Sequence, residues 1–100
     1  MNINEKQKEI YQNKLDKGFN VKDVNLEFCL LYGEVAEAHE AWRKKKTNVG
    51  EELADVAIYL MGLSEILGID LENEIEKKIE INKKRVYKRI NGVFTKTSDS

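Results

Sequence analysis

Glu34 and Glu37 stand three residues apart, and Glu52 and Asp55 repeat that spacing further along the chain. On a helix, residues at i and i+3 are surface neighbours, so each pair sets two carboxylates side by side. The first pair continues the line Leu26, Leu30, Glu34, Glu37, Ala41, and the second continues with Tyr59, Gly62 and Ile66, each beside an apolar stripe. Thr47-Asn48-Val49-Gly50 reads as a turn, which makes the two segments an antiparallel helical hairpin. Counted from that turn, Asp55 is level with Glu37 and Glu52 with Ala41, so four carboxylates converge on one groove. Like charges this close repel in the low dielectric of a packed interface unless a cation neutralises them. Oxygen-only ligands, without Cys or His, favour Mg²⁺, with Mn²⁺ as the alternative, over zinc. A di-iron carboxylate bundle is excluded because that design needs Glu-x-x-His motifs, and the only histidine, His39, has Ala36 at the matching position. His39 reads as a surface residue.

A second group of polar residues lies near the other end. Lys78, Asn82 and Arg85 are i, i+4 and i+7, hence on one helical face. Lys83, Lys84, Lys88 and Arg89 add positive charge around them. Cations on carboxylates, next to Lys, Asn and Arg donors, are what a polyphosphate requires: metal bridges the phosphates, and the donors offset charge on the non-bridging oxygens.

These residues need helices to hold them, and the composition supplies helices. The chain has 100 residues, 35% of them charged and 41% hydrophobic, and no proline. That is one small domain of helix-forming residues. The spacing predicts a short first helix from about Asn4 to Leu15, broken at Gly18. A second runs from an N-cap at Asp23 to about Lys46, with Leu31, Val35, Ala38 and Trp42 as its core stripe. A third spans about Val49 to Leu67, with Asn48 and Glu51 at capping-box spacing and Leu53, Val56, Leu60, Leu63 and Leu67 on one face. Gly68 is a natural C′ residue and Asp70 a natural N-cap. The fourth helix is expected from Leu71 to about Arg89, with a stripe of Leu71, Ile75, Ile79, Val86 and Ile90. Residues 1–94 thus form one domain, an all-α up-and-down helical bundle of four main helices, and 95–100 a disordered polar tail. No segment shows the alternation of a half-buried strand.

The net charge of −1 gives no bias toward nucleic acid or an anionic membrane, and no apolar run approaches the ~20 residues of a membrane span. The single cysteine, Cys29, lies in an apolar run, which predicts a buried thiol in a cytoplasmic protein. A domain this small buries only roughly two-thirds of its unfolded surface, so the wide apolar faces of the second and third helices predict a partner.

Glu34-Val35-Ala36-Glu37 followed by Glu52-Leu53-Ala54-Asp55 resembles the E-x-x-E…E-x-x-D signature of all-α nucleotide pyrophosphohydrolases. The flanking Leu31-Tyr32-Gly33 and Glu51 are similar to the MazG-like branch, and Lys78…Asn82…Arg85 resembles its phosphate-binding K-x-x-x-N-x-x-R. The resemblance implies Mg²⁺-dependent hydrolysis of a nucleoside triphosphate between its α- and β-phosphates, releasing monophosphate and pyrophosphate, in the service of nucleotide-pool cleaning. It implies that Glu34, Glu37, Glu52 and Asp55 hold metal, that water is the nucleophile with Glu37 as its base, and that the chain is a homodimer or homotetramer. Trp42, Tyr59 and Phe19 are then the candidates for stacking a nucleobase. The related phosphoribosyl-ATP pyrophosphohydrolase is the nearest alternative, and a non-catalytic helical interaction module the alternative from another class.

Overall fold

Side chains of short polar residues fix where three of the helices begin. Asn2, Asp23 and Asp70 each accept a hydrogen bond from the backbone N–H three residues on, at 3.0–3.1 Å, satisfying a donor the first turn would leave orphaned. In the computed structural model, which describes residues 1–97, these caps open α1 (Ile3–Asp16), α2 (Val24–Arg43) and α4 (Leu71–Lys84). The remaining helix, α3 (Val49–Ile66), starts at Asn48 without a side-chain cap. The expected capping box is absent: the Asn48 amide instead donates to Glu52 Oε1 at 3.3 Å.

The ends of α1, α2 and α3 follow one rule. After α1 and α3 the chain turns at Gly18 and Gly68, whose φ values of +69° and +68° no side chain opposes. The N–H of the next residue then reaches back to the third-last helical carbonyl, Phe19 to Lys14 at 2.8 Å and Ile69 to Ser64 at 2.9 Å. The turn after α2 does the same with Lys45 at φ +55°, a conformation that costs a non-glycine residue about 1–2 kcal/mol.

In the packed chain α3 is central, with α2 along one side and α1 along the other, while α4 meets α1 and makes no substantial contact with α2 or α3. Gln7, buried on α1, holds that junction. Its amide donates to Ile69 O at 2.6 Å and to Glu65 Oε2 at 3.2 Å, and its oxygen accepts from Leu71 N at 3.4 Å. Gly62 lets α1 approach α3, since a Cβ there would lie 3.2 Å from Ile10 Cγ2.

The helical bundle agrees with the sequence, but three expectations need correction. First, α4 stops at Lys84 rather than Arg89, and the chain turns into an antiparallel hairpin, β1 (Tyr87–Ile90) and β2 (Val93–Lys96). Asn91 and Gly92, with φ +52° and +80°, make the turn, and Asn-Gly is a strong hairpin signal. The domain boundary drawn at 94 therefore falls inside a strand, residues 95 and 96 are not a loose tail, and 98–100 lie outside the described residues. Second, the predicted core stripes are largely uncovered in this chain. Among the described residues only Ala38, Ala41 and Leu63 are buried hydrophobics, whereas Val35, Trp42 and Leu53 are half or more exposed. Third, Cys29 is exposed: on α2 it points away from the face that buries Glu27 and Ala38.

Candidate metal centre

Glu34 and Glu37 come from the middle of α2, and Glu52 from the first turns of α3, where the hairpin brings the two helices face to face. One oxygen from each of these three carboxylates lies within 4.8 Å of the others. Oxygens on opposite sides of an octahedral Mg²⁺ are about 4 Å apart, so small rotations would close the set around one ion. Asp55 stands outside this tight cluster but acts on it as a charge.

The electrostatics ask for a cation. The Glu34 carboxyl is pushed above its ordinary value by burial first, then by Glu37, Asp55 and Glu52. Its Oε2 is buried with no hydrogen-bond partner, and so is the neighbouring Asn48 Oδ1. Buried oxygens left unpaired beside other carboxylates fit a divalent cation that takes oxygen ligands. Glu40 also borders the site, but Lys44 at 2.9 Å and Arg43 at 3.2 Å neutralise it, and its carboxyl is held low by Lys44.

Beside the cluster is a cleft of about 400 Å³, lined by Glu37, Glu40, Ala41, Lys46, Asn48 and Glu52 among others. Glu37 is exposed where Glu34 is half-buried, so Glu37 is the carboxylate that faces the open side.

The other predicted residues are distributed unevenly. Tyr59 lies half-buried next to the carboxylates: its phenol is pushed up by burial, then by Glu34, Glu27, Asp55 and Glu37. Phe19 lines the same recesses as Tyr59. Trp42 is elsewhere, 66% exposed, stacked on His39 at 6.0 Å in the apolar groove with Val35, Leu53 and Val56. Lys78 and Asn82 are exposed on α4. Arg85 caps that helix in an extended conformation, so helical spacing does not carry it; its guanidinium instead donates to Asn82 Oδ1 at 3.1 Å. Because α4 packs chiefly on α1, helix packing among the described residues does not bring this basic trio to the chain's own carboxylates.

Sequence reasoning missed Lys14, Glu27 and Asn48. Glu27 precedes Glu34 by seven residues on the same face of α2, a spacing that was available to read. Lys14 reaches it from another helix and carries no local signal.

The described residues thus form a helical bundle whose α2–α3 hairpin carries a carboxylate cluster. The chain belongs to the MazG-like family, which matches it over residues 19–96. Membership points to nucleotide pyrophosphohydrolase-type function, in a family that is typically metal-dependent. No curated protein and no solved structure matches. Among the described residues no helix is long and apolar enough to cross a membrane.

Proposed function

We propose that the chain is a cytoplasmic Mg²⁺-dependent pyrophosphohydrolase converting nucleoside or deoxynucleoside triphosphates to monophosphates and pyrophosphate. The observation that carries this is the meeting of Glu34, Glu37 and Glu52 across α2 and α3, with a desolvated, unpartnered Glu34 oxygen among them. Glu34, Glu37, Glu52 and Asp55 would hold Mg²⁺ or Mn²⁺. Such an ion neutralises the phosphate chain and acidifies water.

The protein's own part is positional. Glu37, on the open side, orients the attacking water and takes its proton. The cleft along Glu37, Asn48 and Glu52 receives the phosphates, with Lys46 at its edge. Lys78, Asn82 and Arg85 supply donors to the non-bridging oxygens. Since α4 stands away from its own α2 and α3, that trio serves the carboxylates of a neighbouring copy in a homodimer or homotetramer. Phe19 and Tyr59 flank the base; Trp42 belongs to the subunit contact instead.

The test is pyrophosphate release from a panel of nucleotides, phosphoribosyl-ATP included, with Mg²⁺ and with EDTA. Release from triphosphates that EDTA stops is the expected result. Turnover of phosphoribosyl-ATP alone assigns the related enzyme, and no turnover on any member leaves a helical interaction module.

A further inference from the structure

One buried charge pair has no part in the metal centre. Lys14 of α1, 9% exposed, forms an ion pair with Glu27 of α2, which is 2% exposed and the most buried large side chain of the described residues. Removing two charges from water costs several kcal/mol per ion, so a buried pair is poor evidence for a stabilising role. This pair is instead built into a wall. Two recesses of about 90 and 270 Å³ have Lys14, Phe19 and Tyr59 in common, and Glu27 lines the larger.

Glu27 is fixed on both oxygens: Oε1 accepts from Lys14, and Oε2 from Asn20 Nδ2 at 3.2 Å. Asn20 is fully engaged, donating to Asp23 O and accepting from the backbone of Lys22 and Asp23. The Lys14 ammonium, 5.4 Å from the centre of the Tyr59 ring, has three N–H donors and spends one on Glu27. A held cation with unspent donors, between an exposed Phe and a half-buried Tyr, suits a flat ring that offers an acceptor. Glu27 precedes Glu34 by seven residues and Tyr59 follows Glu52 by seven, each about 10 Å along its helix. The recess is therefore two turns from Glu34 and Glu52, with Asp55 one turn from Tyr59 between them, roughly a sugar and a phosphate away.

We infer that Lys14, seated by Glu27, donates to a carbonyl oxygen of a nucleobase held by Phe19 and Tyr59, so that the site prefers carbonyl-bearing bases to adenine. A carbonyl accepts from an ammonium, whereas the exocyclic amine of adenine is itself a donor. The inference rests on the nucleotide pyrophosphohydrolase reading and names the base that reading leaves open.

The experiment pairs calorimetric binding of α,β-methylene dCTP, dUTP, dGTP and dATP in Mg²⁺ with kcat/KM for the natural triphosphates. A hydrogen bond from a charged donor predicts about tenfold or greater preference for the three carbonyl-bearing bases over adenine. Lys14→Met/Glu27→Gln removes both charges together, so neither is left buried alone, and the preference should fall to within about threefold. Equal binding of all four analogues by the unmodified protein overturns the inference whether or not the variant folds, as does a folded variant that keeps the preference. Base-selective binding that the variant loses, without pyrophosphate release from any nucleotide, supports the inference while the catalytic reading fails.

Discussion

Glu34 is where charge and burial conflict most directly, and the conflict has a pH signature. Its folded pKa lies above the ordinary carboxylate value of 4.5, with burial the first cause and Glu37 the second. A folded acid with a raised pKa holds its proton where the unfolded chain has released it. Stability from this group is thus present at low pH and falls as pH rises from about 4.5 through the raised value. Thermal denaturation of the metal-free protein should show that fall, and Glu34→Gln should flatten it; parallel pH profiles for the two proteins would refute the assignment. Mg²⁺ added near neutral pH should raise the melting temperature of the unmodified chain, because a ligand that binds only the folded state stabilises it. Glu37→Gln and Asp55→Asn act on the same balance. Each removes a like charge, so the metal-free fold should be as stable or more so, while turnover is lost, by about 10²–10⁴-fold for a missing base at Glu37. Retained activity in both variants would sink the mechanism.

Among the elements, α4 is held at its root by one buried side chain, Gln7, and by the backbone N–H of Ile3, which donates to Glu72 Oε1 at 3.2 Å. Gln7 satisfies Ile69 O and Leu71 N across the α3–α4 turn, and no other helix packs substantially on α4. Gln7→Leu keeps the volume but orphans both backbone groups, and should cost about 1–3 kcal/mol. Hydrogen exchange should quicken at Leu71 before it does in α2 or α3; uniform exchange across the chain would mean that α4 is held some other way. What the sequence disclosed about these elements follows from how local each signal is. Asp23 and Asp70 were readable as caps because a cap's partner is three residues away, and Gly68 because left-handed backbone suits glycine. The hairpin at Asn91-Gly92 was equally local, yet an apolar stripe continued through Val86 and Ile90 carried the helix past its end. The carboxylate pairs were legible from helical spacing and one short turn. The Lys14–Glu27 pair was not, since its partners meet only once α1 and α2 have both packed on α3.

At the scale of the whole molecule the chain is larger than its length warrants. Its radius of gyration is 16.9 Å, against about 13 Å for a compact domain of this length. The surplus is visible as uncovered apolar surface: Val35, Trp42, Leu53 and Leu60 are 40–66% exposed, and they belong to the faces of α2 and α3 that periodicity assigns to a core. Helical periodicity reports that a face is apolar, not what covers it, so the stripe read as core stands largely uncovered in this chain. A groove of about 430 Å³ lined by Trp42, Val35, Leu53 and Val56 among others is an exposed apolar surface of the kind that marks an interaction site. The same two helices carry the carboxylates on an adjacent face, so pairing through the groove would set the metal ligands of two copies into one assembly. Sedimentation at micromolar concentration should therefore find dimers or tetramers and no folded monomer. Leu53→Glu, which puts a charge into the groove without touching Glu34, Glu37, Glu52 or Asp55, should dissociate the assembly, lower the melting temperature and abolish turnover together. A stable, active monomer of that variant would show that each chain completes its own site, and would return Lys78, Asn82 and Arg85 to the carboxylates of the chain that bears them.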